Sequence, residues 1–143
     1  MAAPRLDLSR LPLVRVTFDG LASDAEFDKY LSGITDLLMV GRQKTVTVLD
    51  ARASARAPAT QRKRQAAWIK EHESLLRRYS LGTAFVITSP LVRGVLTAIL
   101  WLQQLPTPHT VVATIAEAER WATEQFRRAG VTAPPPPAAG ADL

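Results

Sequence analysis

Apolar and polar positions along this chain follow two alternating patterns. Short runs rich in β-branched residues are typical of strands, and they lie at 13–18, 45–50, 84–88 and 111–114. After each run, apolar residues recur at three- and four-residue spacing, which predicts helices at 23–40, 60–79, 91–105 and 115–129. This repeated strand-helix order predicts an α/β fold with a mostly parallel sheet of four to five strands and right-handed connections.

Turn and capping residues set the expected ends of these elements. Ser23 and Glu26 stand three residues apart, as in a capping box, and Gly41 is expected to take the left-handed conformation that ends a helix. Gly82 is expected to turn the chain into the strand at 84–88. The pair Ser89-Pro90 predicts the start of the third helix, because serine caps a helix and proline fits its first position.

Length and composition favour one domain with short extensions. The 143 residues suffice for a single core, so we expect an arm at 1–11, a domain at 12–131 and a disordered or extended proline-rich tail at 132–143. The chain has no cysteine, which excludes disulfides and thiolate metal sites. Residues 1–10 lack the apolar core of a secretory signal, and no apolar run reaches the ~20 residues of a membrane span. A cytoplasmic location is therefore expected.

The positive charge of the chain is concentrated in one segment. The formal net charge is +5, and no acidic residue occurs from Ala51 to Lys70. We call the five cations of this segment that flank the second helix start the basic rim: Arg52, Arg56, Arg62, Lys63 and Arg64. The rim follows the carboxyl end of a strand, where ligands and partners of open α/β sheets bind, so an anionic ligand or a partner protein is expected there. A merely solvated basic face remains the alternative.

The residues that carry most enzymatic chemistry are scarce. His72 and His109 are the only histidines, and neither has a serine or carboxylate at a spacing that suggests a catalytic triad or a metal site. The glycines form no phosphate-binding loop, and Asp50 is a single carboxylate at a strand end. We therefore expect no enzyme, no cofactor and no metal. His72, on the apolar side of its helix, is expected to be a core or boundary residue.

The third helix is apolar around nearly its whole circumference. One face suffices to cover a sheet, so its remaining apolar surface predicts an interface. The expected interface residues are Leu91, Val92, Val95, Leu96, Ile99 and Leu100. A homodimer, or an equivalent contact with a partner protein, is the expected use of this surface. Coverage by the arm or the tail of the same chain remains open.

The arrangement of these elements resembles the SpoIIAA-like proteins, which belong with the STAS domains and are similar in fold to the CRAL-TRIO lipid carriers. The resemblance covers residues 12–129 and rests on Gly20 before a capped helix, a strand ending in Val48-Leu49-Asp50, the strand at 84–88 and the apolar third helix. It implies a regulatory domain that binds proteins. STAS anti-sigma-factor antagonists also carry a phosphorylatable serine or threonine, and the corresponding position is Thr60.

The phosphorylation motif itself is missing around Thr60. The family pattern is Asp-Ser/Thr-Ser-Gly, whereas Pro58, Ala59 and Gln61 surround Thr60 with neither an acidic residue nor a glycine. Thr60 is equally explained as the cap of the second helix.

Two functions from different classes follow from these features. The first is a non-enzymatic regulatory domain that docks a partner protein through the basic rim and the apolar third helix. The second is a peripheral protein that binds lipid or an anionic membrane surface through the same two features. Nucleic acid is a weaker candidate, because the rim lacks interleaved aromatic residues for base stacking.

Overall fold

The computed structural model describes residues 4–55 and 57–135. Within them, five strands form one sheet in chain order: β1 Arg5–Asp7, β2 Leu13–Gly20, β3 Thr45–Ser54, β4 Ser80–Val86 and β5 His109–Val112. The α-helices are α1 Asp24–Asp36, α2 Ala59–Glu71, α3 Glu73–Tyr79, α4 Pro90–Leu102 and α5 Ile115–Ala129. β1 pairs antiparallel with β2, and the other three pairings are parallel. The predicted α/β fold with a mostly parallel sheet is confirmed.

The expected arm contributes to the sheet. Arg5–Asp7 pairs with β2 as an edge strand. Behind it, the guanidinium of Arg10 donates two hydrogen bonds to the carboxylate of Glu119 on α5, at 2.9 and 3.0 Å, and another at 2.9 Å to the carbonyl of Pro135. The arm and residue 135 are thus tied to α5. Of the expected tail, residues 136–143 lie outside the described part of the chain.

One face of the sheet is covered by α5. Phe126 and Ala122 are 1% exposed, Ala118 is fully buried, and they pack on the side chains of Val48 and Val86 from the central strands. The helix begins at a Thr114 cap, whose hydroxyl accepts the Glu117 N–H at 3.1 Å, and ends at Gly130, which has φ 69. The predicted bounds of this helix are confirmed.

The opposite face is covered by α1, α2 and α4, and here several predicted ends are wrong. After Asp36, α1 continues as a π-helical turn, Leu37–Gly41. The left-handed residue that ends it is Arg42, with φ 48, and not Gly41. The wider π turn moves the end of the helix by one residue. The left-handed conformation is unfavourable for arginine, and a hydrogen bond of 3.1 Å from Arg42 Nε to the Met39 carbonyl helps to stabilise it.

The single helix expected at 60–79 is two helices, α2 and α3. The break is at His72, whose backbone has φ −108 and ψ 19. Its ring stacks on Trp68 with 4.6 Å between ring centroids, and its Nδ1 lies 2.8 Å from the Trp68 carbonyl oxygen. His72 is half-buried, so its expected boundary position is confirmed.

Gly82 does not turn the chain into β4 but lies inside that strand. Its φ is 149, and a Cβ at this position would come within 2.6 Å of the Trp121 ring of α5. The predicted turn was wrong because the glycine serves a close approach between helix and sheet, which the local sequence does not reveal.

Candidate functional site

A cavity of about 190 Å³ lies between the sheet and the helices α1, α2 and α4. Its floor includes Thr47, Leu49 and Phe85 of the two central strands, and its walls include Tyr30 and Trp68. The cavity extends from residues near the start of β3 to residues near the start of α2, so it follows the strands beneath the helices.

The sheet contributes short side chains to the floor of the cavity. β3 and β4 direct Thr45, Thr47, Ala51 and Thr83 toward the helices. The threonine hydroxyls add polar atoms to a floor that is otherwise apolar, with Leu49 and Phe85 beside them.

The end of the cavity near the start of α2 is polar. Arg62 and Gln65 line it, and Nη1 of the half-buried Arg62 donates a hydrogen bond of 2.6 Å to the Ala57 carbonyl. Next to them, Gln61 is only 4% exposed, and its Nε2 donates to the Ala22 carbonyl at 2.9 Å and to Asp24 Oδ1 at 3.1 Å. These bonds join the starts of α1 and α2.

Two aromatic side chains give the cavity wall polar atoms as well as apolar surface. Tyr30 packs edge-on against Phe18 with 5.1 Å between ring centroids, and burial raises the pKa of its phenol, which keeps the group neutral. Trp68 lines the cavity, and its indole N–H donates to the Thr35 hydroxyl at 2.9 Å. Tyr30 is thus held by a contact between α1 and β2, and Trp68 by a hydrogen bond between α2 and α1.

The basic rim is divided by the sheet. On the α5 side, Arg52 Nε and Nη2 donate to the two oxygens of Asp50 at 2.9 and 2.8 Å. Burial alone would raise the pKa of Asp50, but these hydrogen bonds and the charges of Arg52 and Arg15 outweigh it, so the pKa lies below its usual value. Arg52 therefore holds a buried carboxylate, whereas the other described members of the rim lie on α2.

The three rim residues of α2 point in different directions, because successive positions of a helix are about 100° apart. Arg62 lines the cavity. Arg64 Nη1 forms an ion pair with Asp28 of α1 at 2.8 Å, and Lys63 is exposed. Arg56 lies outside the described residues. The three consecutive cations of α2 thus have three different surroundings.

Thr60 does not cap the second helix. The capping position is Pro58, no side chain caps this end, and Thr60 is exposed in the first turn of α2. The predicted cap was wrong because the helix begins at Ala59, which puts Thr60 two positions past the capping residue Pro58.

The predicted interface residues of α4 divide into two groups. Leu91 is 57% exposed. The other five line the cavity: Val92, Val95, Leu96, Ile99 and Leu100. The apolar side chains that α4 leaves most exposed include Trp101 at 87% and Leu102 at 56%, and neither was among the predicted interface residues. The position of Trp101 on the helix, opposite Val92 and Leu96, was the available signal.

A second exposed apolar group lies near the carboxyl end of α4. Met39 is 54% exposed and Val40 is 81% exposed. Their neighbour Leu38 packs in the same cluster as Ile99, so Met39 and Val40 lie at the same end of the molecule as Trp101. Parallel strands begin at this end, whereas the basic rim lies at the end where they finish.

Metal-binding groups and membrane-spanning helices were also looked for in residues 4–55 and 57–135. This part of the chain contains no group of three or more His, Asp or Glu side chains arranged to hold a metal ion. None of its helices combines the length and the apolar character needed to cross a bilayer.

Comparison with known proteins relates the chain to solved structures, of which two are described here. A scan against protein-family models gave no match, and a search of curated proteins found none. A DUF3478-family protein with a SpoIIAA-like fold from Shewanella loihica is similar in structure, with a TM-score of 0.64 and 9% identity over 85% of this chain and 95% of that one. An anti-sigma factor antagonist from Mycobacterium paratuberculosis gives a TM-score of 0.57 and 15% identity over 85% and 94%. The expected SpoIIAA-like fold is confirmed.

Proposed function

We propose that this chain is a non-enzymatic, cytoplasmic regulatory domain of STAS type that docks a partner protein on the exposed side of α4. The observation that carries the proposal is the exposure of three large apolar side chains on one helix: Leu91, Trp101 and Leu102. Large apolar groups that stay accessible together commonly mark an interface. The fold shared with an anti-sigma factor antagonist supports a regulatory role.

The partner to test first is a second copy of the chain. Twofold self-association is the commonest solution for a small domain with one apolar surface, and tryptophan is enriched among residues that dominate binding energy. Between Leu91 and Trp101 the exposed side of α4 carries Gly94 and Thr97. A Cβ at Gly94 would meet nothing within 4 Å, so a neighbouring backbone can approach closely there.

The α2 part of the basic rim is the proposed site of control. Lys63 is exposed, and the Arg64–Asp28 ion pair is exposed enough for an acidic partner to compete with Asp28. Thr60 is exposed in the same first turn, where a phosphate group would meet free backbone N–H groups and nearby cations. Phosphorylation of Thr60 is therefore the proposed switch for this surface.

Analytical ultracentrifugation at tens of micromolar tests the docking surface. We expect a dimer for the unchanged protein and a monomer for the double variant Trp101→Ser, Leu102→Ser. Leu21→Ser is the matched control, since Leu21 is an exposed leucine at 54% outside α4. We expect the control to remain a dimer. A monomeric unchanged protein, or a dimer that persists in the double variant, would contradict self-association through α4.

A specific observation favours peripheral membrane binding as a second candidate. Met39, Val40 and Trp101 expose apolar surface at one end of the molecule. Arg42 and Lys44 follow Met39 and Val40 in the chain. Apolar groups flanked by cations bind the interface of anionic bilayers. Sedimentation with vesicles containing anionic lipid, at low and high salt, tests this function. Salt-sensitive binding that Trp101→Ser and Val40→Ser abolish supports it, and the absence of binding at low salt refutes it.

A further inference from the structure

We infer that the cavity beneath α4 is a binding site for a small amphipathic carboxylate, with its apolar body against the sheet and its carboxylate at Arg62. This inference goes beyond the proposed function and does not depend on it. It rests on the size of the cavity, the character of its lining and the sign of its charge.

The size of the cavity limits the apolar body of the ligand. Dry apolar cavities of about 150 Å³ in proteins bind benzene. At about 190 Å³, this cavity takes a slightly larger body, such as a medium acyl chain or an aromatic ring with a short substituent. A complete two-chain lipid is too large for it.

The lining favours an apolar body over water. Phe85, Ile99, Leu100 and Trp68 contribute aliphatic and aromatic surface on both sides of the space. Pockets that bind small molecules are largely apolar, with a few polar groups that fix the ligand's orientation. Here the polar groups that lie together at one end are Gln61, Arg62 and Gln65.

The charge of the lining selects the head group. Among the described residues that line the cavity, Arg62 is the one with a charged side chain, and no aspartate or glutamate is among them. A cationic head group would therefore be repelled, whereas a carboxylate would be attracted. Arginine is suited to this role because its planar guanidinium can donate two parallel hydrogen bonds to a carboxylate.

Arg62 is already held in position for this contact. Its Nη1 donates to the Ala57 carbonyl at 2.6 Å. A guanidinium has five N–H donors, so this bond leaves other N–H groups of Arg62 able to donate to a ligand. No ion pair of Arg62 with a carboxylate occurs within residues 4–55 and 57–135. A ligand carboxylate would thus bind a cation that the described part of the fold leaves without a counter-charge.

The test compares octanoate with octanol, which has the same chain length but no charge, by isothermal titration calorimetry on the full chain. We expect octanoate to bind about tenfold or more tightly than octanol, because a charge-assisted hydrogen bond is lost in the alcohol. Arg62→Gln should reduce this ratio to near one. The control Lys63→Gln changes the neighbouring exposed cation and should leave the ratio unchanged.

A cavity-filling variant tests the position of the site. Ala51 is buried and lines the cavity, so Ala51→Leu should place apolar atoms in the space and abolish binding of both probes. A melting temperature that is unchanged or raised shows that the fold is intact, and Thr47→Ile serves the same purpose if Ala51→Leu does not fold. Three results would overturn the inference: no binding of either probe, equal affinities for the unchanged protein, or undiminished binding in a folded cavity-filled variant.

Discussion

The two faces of the sheet differ in how completely they are covered. On the α5 face, Phe126 is 1% exposed and packs among fully buried valine and alanine side chains. On the opposite face, Phe85 lines a cavity of about 190 Å³. Close packing stabilises a fold, and a gap in it lowers stability unless something occupies it. The difference supports the proposal that α5 mainly stabilises the fold and that the α1, α2 and α4 layer carries the binding sites.

Truncation of one phenylalanine on each face is the strongest test of this difference. Phe126→Ala should lower the free energy of unfolding by about 3–5 kcal/mol, because it opens a new cavity in a packed core. Phe85→Ala should cost less, since part of its ring already borders empty space. Urea denaturation of both variants measures the difference. Equal costs, or a larger cost for Phe85→Ala, would contradict the contrast between the faces.

The glycines of the two faces should respond in opposite directions. Gly82→Ala is expected to lower the free energy of unfolding by roughly 1–3 kcal/mol, because its φ is 149 and a Cβ would lie 2.6 Å from the Trp121 ring. Gly94→Ala should raise the free energy of unfolding of the monomer by about 0.5–1 kcal/mol, because alanine favours helix and nothing of the same chain lies within 4 Å of the added Cβ. Thermal unfolding compares the two, and a tolerated Gly82→Ala would mean that α5 packs less tightly than described.

The buried carboxylate on the α5 face should make stability depend on pH. The pKa of Asp50 is lower in the folded chain than the value of about 3.9 expected when unfolded. Its stabilising effect is therefore fully present above that value and is lost as pH falls through it toward the folded pKa. Asp50→Asn should cost about 1 kcal/mol at pH 7, a modest figure because Arg52 is 38% exposed and screened by water.

Denaturant unfolding between pH 7 and pH 2 separates this group from the other carboxylates. The cost of Asp50→Asn should shrink below pH 4. A cost that is independent of pH would show that the charge of Asp50 contributes nothing.

The smallest expected effects on stability come from threonines near the starts of α2 and α5. Thr114→Ala should lower the free energy of unfolding by about 1 kcal/mol, because its hydroxyl accepts the Glu117 N–H. Thr60→Ala should change it by less than about 0.5 kcal/mol, because no side chain caps α2. Chemical denaturation of the pair measures this. If Thr60→Ala lowers the free energy of unfolding as much as Thr114→Ala does, Thr60 caps α2 as the sequence predicts.

Sequence patterns were accurate where local rules also determine the structure. The bounds of α5 follow from Thr114, a periodic apolar stripe and Gly130, and all three act within the helix itself. The strands β2 to β5 were found because β-branched runs coincide with burial, whereas β1 was expected to be part of an arm. Gly82 was misassigned because the reason for this glycine is its contact with the distant Trp121. Local signals thus predicted the elements and missed the contacts between them.

The candidate site was harder to predict from the sequence than the fold. A cavity forms where several helices and strands leave space between them, and no single sequence pattern records that. The unusual apolar character of α4 signalled surplus apolar surface, and most of the chosen residues proved to line the cavity. The sequence did not indicate that Thr47 and Tyr30 line a cavity, since a threonine in a strand and a tyrosine in a helix are common. The cations of the basic rim are close in sequence, but those that the structure describes differ in position. Arg52 lies on β3 on the α5 side of the sheet, and the others lie on different sides of α2.

Two-dimensional NMR of the labelled protein during titration with octanoate tests most directly whether the two faces have separate roles. We expect saturable shifts at Thr47, Phe85 and the indole N–H of Trp68, with α5 resonances such as those of Ala118 and Phe126 unaffected. Shifts centred on α5, or the absence of saturable shifts around the cavity, would contradict the account.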